Sequence, residues 1–419
     1  MRLLYIASRN PFPVSTGRQK MIEQSLMMLN EIGFEIDLFY PENNEKFNAP
    51  EHIRLKTINS YNKPNVLKIL RNIVFFPFNS LQENLFFTYN EKNNIEKFIK
   101  KNKPDIIWCD MIRTSVFVKN IDMPKILDMD DILSNRYSQY LSSGNTNNIF
   151  GANKNNVPSI INFLANTFGS YVLKIEKKKI EKSEKDMSLY FDAISLVSNK
   201  EKEEYNDKKL KNIDIFSFPP CYKIDNIKNT ILKDGEKQRL VFLGNNTYQP
   251  NIEAIEKYII ELKDNLVKNK REIDVVVIGK IDDVLKSKLE SKNIIVTGFV
   301  DKVENYVFKK DIMVLPLDTG TGVKLKVLDS LSYGLPVVTT SKGIEGTALV
   351  PDEHFILCDN YSKDLYNVIK DILDKKYPLK EIGLKGKKFI EDNHSWDNTK
   401  NNLSCLIYKI ITKNRSLNV

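Results

Sequence analysis

The sequence predicts an α/β protein made of two domains, each with a parallel sheet. Short apolar runs alternate with helical patterns in both halves of the chain, which is typical of strand–helix–strand units. A chain of 419 residues is too long for one small core and fits two domains of ordinary size. Pro219 and Pro220, followed by a polar segment up to Gly235, predict a linker between the two domains.

The composition is that of a folded protein that needs no disulfide or structural metal. Hydrophobic residues make up 42% of the chain, and the four cysteines are widely scattered and form no Cys-x-x-Cys pair. The three histidines are also far apart in sequence, so no metal-ligand cluster is visible. We therefore expect a cytoplasmic protein that uses no metal and no other cofactor.

Charge and hydropathy exclude some classes of protein. No uninterrupted apolar stretch of about 18 residues is present, and the apolar part of the N-terminus is too short for a signal peptide. The net charge of +9 can favour anionic partners, but lysine is abundant throughout, so local clusters are more informative than the total. No basic and aromatic platform of a known type for nucleic acid is visible.

In the first half, a strand that ends at Ser8 leads into a loop from Arg9 to Arg18. Its two prolines and Gly17 exclude a helix or a strand there, and a helical pattern begins near Met21. A plain turn into a helix and a ligand-binding loop are equally good interpretations of this segment by itself. The further strands predicted for this half are residues 34–40, 53–58, 105–109, 125–129, 193–198 and 213–218.

Residues 66–87 combine aromatic and aliphatic side chains with Lys68 and Arg71. The segment can lie in a membrane interface with its cations at lipid headgroups, or it can be a helix that covers the core of the first domain. The two interpretations are compatible if the exposed side of the helix contacts lipid. After a loop at 142–158, residues 160–180 predict a helix with a solvated basic end, and a second lipid-facing element is the alternative.

Carboxylates follow the predicted strand at 125–129, in the segment from Asp128 to Tyr137. Acidic groups at the carboxyl end of a strand fit the ligand crevice of an open α/β sheet. Asp130 and Asp131 are therefore candidates for binding substrate hydroxyls or for acting as a base. For Asp131, capping of the next helix is an equally good alternative.

The most informative stretch is Ile312 to Thr340, in the second half of the chain. It predicts a strand, a glycine-rich turn at 318–322, a helix and a second strand. Backbone N–H groups at such a turn and helix start bind anions, and Lys324 and Lys326 add two cations where the helix dipole itself favours negative charge. The stretch predicts a phosphate or diphosphate site, and an ordinary βαβ unit with solvated lysines is the alternative. The other strands predicted for this half are residues 239–243, 275–279 and 294–298.

This stretch resembles the nucleotide-sugar site of retaining glycosyltransferases of family 4, which have the GT-B fold of two Rossmann-like domains facing one cleft. In that family a glycine-rich loop contacts the donor diphosphate, and an acidic residue on the next helix holds the ribose. The resemblance implies that Asp329 is this acidic residue, whereas Thr321 stands where the family usually has a Glu. The donor contacts that it implies here are Gly320, Thr321, Gly322, Val323, Lys324, Lys326 and Asp329.

The resemblance extends over most of the chain and is strongest from Gly244 to Gly346. It implies a catalytic role for Asp130, Asp131 or Lys324, while the cleft histidine of many family members is absent here. The further donor contacts that it implies are Gly17, Arg18, Gly244, Asn245 and Phe299, the last at the nucleobase.

From the resemblance we expect a metal-independent glycosyltransferase of surface polysaccharide biosynthesis. It would transfer a sugar, with retention, from a nucleotide-diphosphate sugar to a saccharide or lipid-linked acceptor. If residues 66–87 contact lipid, the enzyme would lie at the inner face of an anionic membrane. Two alternatives are a sugar-nucleotide epimerase or hydrolase of the same fold and a non-catalytic scaffold that binds the nucleotide-sugar. The expected domains are residues 1–220 on the acceptor side, with a C-terminal helix at about 393–415 crossing back onto it, a linker at 221–237, and a donor domain at 238–392.

Overall fold

The computed structural model describes residues 1–42, 47–142, 159–318 and 322–417. The chain divides into two compact units, of which the first consists of Met1–Pro219 and Lys400–Val419 and the second of Pro220–Thr399. The loop predicted at 142–158 lies outside the described residues, except for Ser142 at the end of a helix.

Seven parallel strands form the sheet of the first unit, in the order β3-β2-β1-β4-β5-β6-β7. The direction of the strand order reverses between β1 and β4, which is the point at which open α/β sheets bind ligands. The strands are β1 (Arg2–Ile6), β2 (Glu35–Pro41), β3 (Leu55–Tyr61), β4 (Ile106–Asp110), β5 (Lys125–Asp128), β6 (Ala193–Leu196) and β7 (Asp214–Ser217).

Helices connect these strands and begin at local capping signals. The side chains of Thr16, Thr88 and Ser198 accept backbone N–H groups at the starts of three of them, and Gly33, with φ 102°, ends the first. A short 3₁₀ turn, Ile112–Phe117, follows β4. The helices of this half are α1 (Gly17–Ile32), α2 (Val66–Phe75), α3 (Leu81–Asn84), α4 (Tyr89–Asn102), α5 (Leu133–Ser142), α6 (Ser159–Tyr190) and α7 (Asn199–Lys208).

The second unit has a sheet of six parallel strands, in the order β10-β9-β8-β11-β12-β13. These strands are β8 (Arg239–Leu243), β9 (Asp274–Ile278), β10 (Ile295–Gly298), β11 (Ile312–Leu315), β12 (Val337–Thr339) and β13 (Ile356–Leu357). The helices of this unit are α8 (Ile224–Asn229), α9 (Gln249–Ala254), α10 (Ile260–Lys268), α11 (Asp283–Glu290), α12 (Leu325–Ser332), α13 (Tyr361–Leu373) and α14 (Leu379–Asn393). The last helix, α15 (Trp396–Leu417), belongs to the first unit from Lys400 onward.

The structure confirms the predicted α/β architecture, because a strand is present in every segment for which one was predicted. β13 was not predicted, since two residues are too few to show a periodic pattern. Residues 221–237, which the sequence suggests as a linker, include α8 and place Ile227 and Leu232 in the core of the second unit. The helix after the glycine-rich turn begins at Leu325, because Lys324 has an extended backbone with ψ 95°.

Candidate functional site

In the second unit, the turn after β8 is held against the end of β9 by close backbone contacts. The Gly244 N–H donates to the carbonyl of Ile278 at 3.0 Å. Gly279 has a φ of 124°, and a Cβ there would lie 1.9 Å from the Gly244 carbonyl oxygen. A Cβ at Gly244 would in turn lie 2.8 Å from Nδ2 of Asn251. Gly279 therefore requires glycine for the turn to keep its shape, whereas a side chain at Gly244 would displace the amide of Asn251.

Asn251 connects this turn to the helix that carries the two lysines. Its Nδ2 donates to the carbonyl of Asn245 at 2.7 Å, and its Oδ1 accepts from Nζ of Lys326 at 2.6 Å. The Lys326 ammonium also lies 4.8 Å from the ring centroid of Phe242, the fourth residue of β8. The structure thus brings together the predicted residues Gly244, Asn245 and Lys326, and it adds Asn251 as the residue that joins them.

The Lys326 ammonium has an unusual electrostatic environment. Among the described residues, no carboxylate lies within ion-pair distance of its Nζ, and its hydrogen-bond partner is a neutral amide. Burial, together with repulsion from Lys324, lowers the pKa of Lys326 to about 7. A bound anion would favour the charged form of this lysine, as a diphosphate at the start of α12 would.

Lys324 precedes α12 and is largely covered, with 11% of its side chain exposed. Its Nζ donates to the carbonyl of Gly322 at 2.5 Å and lies 3.9 Å from Oε2 of Glu345. The same carboxylate pairs with Lys342 at 2.7 Å. Sequence reasoning missed Glu345 as a neighbour of Lys324, because only the fold brings the segment after β12 next to the start of α12.

Asp329 lies on α12 and is half-buried. Its Oδ1 accepts a hydrogen bond from the hydroxyl of Tyr222 at 2.7 Å. Burial and the Asp329 carboxylate raise the pKa of Tyr222 well above its usual value, so this hydroxyl stays protonated and donates. Sequence reasoning did not single out Tyr222, which is 107 residues away in the chain.

The other residues predicted to contact the donor are distributed over the same unit. Phe299 follows β10 and has 67% of its surface exposed, next to Gly298 with φ 73°. Gly322 also has a positive φ, 71°, and Val323 is half-buried. Gly320 and Thr321 lie outside the described residues.

In the first unit, Arg18 is at the centre of an acidic cluster. Its Nε donates to Oδ1 of Asp110 at 2.7 Å, and its Nη2 donates to the same carboxylate. Nη2 also donates to Oδ2 of Asp128 at 2.7 Å, and Nη1 donates to Oδ1 of Asp130 at 3.0 Å. Burial opposes the charge of Arg18, but the three carboxylates raise the pKa of its guanidinium well above the usual value. Gly17, predicted beside it, is the exposed first residue of α1. The sequence analysis names Arg18 as a donor contact and did not foresee these three carboxylate partners.

Asp130 and Asp131 have different surroundings. Asp130 has a φ of 69°, and 20% of its side chain is exposed. Burial raises the pKa of its carboxyl group to about 6; the charge of Arg18 opposes this shift, and the charges of Asp131 and Asp128 add to it. Asp131 is buried and its Oδ2 accepts from Arg136. A partly exposed carboxylate with a raised pKa and a strained backbone is typical of a functional group, whereas a buried ion pair also occurs in structural roles.

The start of α5 is satisfied by carboxylates other than Asp131. The N–H of Ile132 donates to Glu201 at 3.2 Å, and the N–H and hydroxyl of Ser134 donate to Glu184 at 3.0 and 2.6 Å. Burial raises the pKa of both glutamates to about 7. The alternative that Asp131 caps this helix is therefore wrong, because residues from later helices take that role.

Two further properties concern the whole described chain. Across residues 1–42, 47–142, 159–318 and 322–417, no three His, Cys, Asp or Glu side chains are grouped so that they could hold a metal ion. In the same part of the chain, no helix combines the length and the apolar character that crossing a bilayer requires.

Comparisons with known proteins agree with this architecture. Residues 237–375 match the family model described as "Glycosyl transferases group 1". An uncharacterized 44.6 kDa protein in the cps region of Klebsiella pneumoniae is 21% identical over 408 residues, which cover 94% of this chain and 96% of that protein.

Solved structures with a similar fold include several glycosyltransferases. Sucrose-phosphate synthase from Thermosynechococcus elongatus is 12% identical, with 99% of this chain and 100% of that chain covered and a TM-score of 0.65. Anabaena Alr3699/HepE in complex with UDP-glucose is 10% identical, with 99% and 100% covered and a TM-score of 0.60. WaaG, a glycosyltransferase involved in lipopolysaccharide biosynthesis, is 13% identical, with 97% and 99% covered and a TM-score of 0.59.

At these identities the likeness to solved structures shows the fold, which is GT-B, and the family model adds the activity of the second unit. The second unit carries a glycosyl transferases group 1 domain, and the protein is a glycosyltransferase of the GT-B fold.

Proposed function

We propose that the enzyme transfers a sugar from a nucleotide-diphosphate sugar to a saccharide or lipid-linked acceptor, with retention, in the biosynthesis of a surface polysaccharide. The observation that carries the proposal is the Lys326 ammonium, held by Asn251 at the start of α12 with no carboxylate beside it among the described residues. A diphosphate is the anion that a glycosyl donor brings to such a position. Lys324, two residues earlier, adds a second cation there.

The comparisons support the donor and acceptor classes in this proposal. The Anabaena protein with a similar fold has been solved with UDP and with UDP-glucose. WaaB is a lipopolysaccharide outer core galactosyltransferase, and the Klebsiella relative is in a cps region. These names favour a donor with a nucleoside diphosphate and an acceptor from a cell-surface glycan.

In the proposed mechanism the protein supplies position and charge rather than a covalent intermediate. Lys324 and Lys326 stabilise the negative charge that develops on the departing diphosphate, which is worth most in a site shielded from water. Asp130 accepts a hydrogen bond from an acceptor hydroxyl, and its pKa of about 6 leaves most of it ionised at neutral pH.

The test is binding and turnover with a panel of nucleotide-diphosphate sugars. Replacing both Lys324 and Lys326 by alanine should weaken nucleoside diphosphate binding by about tenfold or more per lost charge-assisted contact, while nucleoside binding changes little. The matched control replaces Lys286 and Lys288, which have the same spacing and are exposed on α11. An unchanged diphosphate affinity in the folded double variant would contradict the proposal, and turnover without any acceptor would indicate a hydrolase.

We further propose that α2 places the enzyme on an anionic membrane. Only Ile69 and Asn72 of this helix are buried, so the helix contacts the core along one narrow side. The apolar side chains exposed around it, here called the α2 patch, are Val66, Leu67, Leu70, Val74, Phe75 and Phe78. Lys68 and Arg71 are exposed on the same helix, in the arrangement that suits lipid headgroups.

The end of α6 lies beside the α2 patch. The Lys182 ammonium is 5.8 Å from the ring centroid of Phe78, and Tyr171 and Ile175 are exposed on this helix. Leu173 and Ile180 are buried, so α6 is amphipathic and its apolar side packs in the core. What α6 adds to the proposed membrane contact is therefore the Lys182 cation beside Phe78.

Sedimentation with vesicles tests the membrane contact. The protein should sediment with anionic vesicles at low salt, and the binding should weaken as salt screens the cations. Lys68→Glu combined with Arg71→Glu should release it, whereas the control Lys100→Glu with Lys101→Glu, on the exposed end of α4, makes the same charge change outside the patch. Equal release by both pairs, or no binding at low salt, would contradict the proposal.

A further inference from the structure

Three cationic side chains follow three different strands of the first sheet at its carboxyl edge. Arg9 comes after β1, Lys63 after β3, and Arg113 lies in the 3₁₀ turn after β4. Arg9 and Arg113 therefore lie on the two sides of the point where the strand order reverses. Open α/β sheets bind ligands at this point of the carboxyl edge.

The three cations lack the acidic partners that buried cations normally have. Among the described residues, none of them forms an ion pair or a hydrogen bond through its charged group, and Nε of Arg9 and Nε of Arg113 are buried without a partner. Arg113 is 6% exposed. Arg18 and Arg136, nearby on α1 and α5, both form ion pairs with aspartates, unlike these three cations.

The same cations lie close enough to repel one another. Lys63 and Arg113 contact one ring, that of Phe86, at 4.9 and 5.5 Å from its centroid. Burial, together with repulsion from Arg113 and Arg9, lowers the pKa of Lys63 to about 8. In the same way, burial and repulsion from Arg9 and Arg136 lower the pKa of Arg113 to about 10. Asp110 and Asp130 offset part of the charge of Arg9, and Asp110 offsets part of that of Arg113, but neither carboxylate forms an ion pair with these cations among the described residues. Buried charge without a paired counter-ion is costly.

We propose that Arg9, Lys63 and Arg113 bind a phosphoryl group carried by the acceptor. A phosphoryl group has three outer oxygens and up to two negative charges, and it can contact three cations at once, whereas a carboxylate has two oxygens and one charge. The inference rests on the proposed function, since it identifies the substrate class of the unit on the acceptor side.

The position of Lys63 also connects this site to the α2 patch. Lys63 is two residues before Asn65, whose side chain caps α2. Asn72 of α2 donates to the carbonyls of Asn84 and Phe87, which flank Phe86. A phosphoryl group bound by these cations therefore lies next to the helix proposed to contact lipid, as the headgroup of a lipid-linked acceptor would.

The test measures binding of a simple phosphomonoester, methyl phosphate, to the intact protein by calorimetry, with acetate as the carboxylate comparison. Methyl phosphate should bind and acetate should bind at least about tenfold more weakly. Lys63→Met and Arg113→Met should each reduce methyl phosphate affinity about tenfold or more. Arg54→Gln, at an exposed arginine of the same unit, is the control and should leave it unchanged.

Thermal unfolding separates a binding role from a structural one. Without ligand, Arg113→Met should raise the unfolding temperature, because it removes a buried charge without a counter-ion, and added phosphate should stabilise the wild type but not the variant. A variant less stable than the wild type that still binds methyl phosphate normally would overturn the proposal. So would a wild type that binds methyl phosphate and acetate alike, or neither.

Two further experiments complete the test. The first identifies the source of the phosphoryl group, and the second separates this inference from the proposed function. Vesicles that contain phosphatidic acid should compete with methyl phosphate if the group belongs to a lipid, and lack of competition would indicate a soluble phosphorylated acceptor. Nucleoside diphosphate binding should be unchanged in Lys63→Met and Arg113→Met. If methyl phosphate binds as expected but no sugar transfer is ever observed, the proposed function is wrong and the phosphoryl site still stands. If sugar transfer is observed but methyl phosphate does not bind, the phosphoryl site is wrong and the proposed function still stands.

Discussion

At the residue scale, the two candidate regions differ in how their charges are balanced. Arg18 has three carboxylates around it, so its charge is compensated within the fold. Lys326 has a neutral amide and an aromatic ring, so its charge is compensated only when an anion binds. The sequence analysis names both residues as donor contacts and could not separate them, because Asp110 and Asp128 are 92 and 110 residues away from Arg18 in the chain.

The pKa of Lys326 predicts how donor affinity changes with pH. An anion favours the ammonium form, so the affinity for a nucleotide-diphosphate sugar should be highest below pH 7 and should fall as pH rises through about 7. The fall is at most about tenfold per pH unit, because one proton is involved. Calorimetry across this range measures it, and Lys326→Met should show a weaker affinity without this slope. A flat profile in the wild type would contradict the prediction.

Asp329 is proposed to hold the ribose of the donor, and its contact with Tyr222 determines which variants are informative. Asp329→Ala leaves the Tyr222 hydroxyl without this acceptor, which costs about 1–3 kcal/mol by itself. Asp329→Asn keeps an acceptor for Tyr222 and removes the charge. It should lower donor affinity and reduce the preference for a ribose donor over a deoxyribose donor.

A double-mutant comparison checks the ribose contact. Tyr222→Phe is the control, because it keeps the Asp329 carboxylate and should keep the preference for ribose. If the Asp329→Asn variant discriminates against the deoxyribose donor as strongly as the wild type does, Asp329 does not contact the ribose.

At the element scale, the predictable part of the fold is the alternation of strands and helices. The stretch from β11 to β12 shows it most clearly, since glycine, proline and apolar spacing mark each boundary. What the sequence could not show is which loops meet at one edge of a sheet. Asn251 follows β8 and Lys326 follows β11, and they meet because these two strands are neighbours.

The contact between the ends of β8 and β9 predicts a strong effect at Gly279. Gly279→Ala places a Cβ 1.9 Å from the carbonyl oxygen of Gly244. The alanine would also have to adopt the positive φ of this position, which by itself destabilises the fold by roughly 1–2 kcal/mol. Gly298→Ala is the matched control, because its φ is also positive and a Cβ there has no atom within 4 Å. Denaturant unfolding should show a larger loss of stability for Gly279→Ala, and equal losses would contradict this account.

At the scale of the whole molecule, the last helix belongs mostly to the first unit. Lys400 pairs with Glu31 at 3.1 Å and Lys409 pairs with Asp214 at 2.8 Å, both within that unit. The buried side chains of this segment are Leu403, Ile407, Ile410 and Ile411. Each fully buried side chain of this kind contributes about 1.5–3 kcal/mol, so the segment is a large part of the stability of the first unit.

Deletion of residues 400–419 should therefore affect the two units differently. The first unit should become sensitive to proteolysis, while the second unit, Pro220–Thr399, should keep its affinity for nucleoside diphosphate. Limited proteolysis and calorimetry on the shortened protein measure the two effects. Equal loss of both units would show that the segment also stabilises the second one.

This division of the chain has a consequence for its synthesis on the ribosome. The second unit is complete once residue 399 has left the exit tunnel, whereas the first unit, whose strands are all made earlier, still lacks residues 400–419. A nascent chain thus completes its second unit before its first unit. Chains that terminate early near residue 400 would have a complete second unit and an incomplete first unit, so quality-control proteases would find their cleavage sites in the first unit.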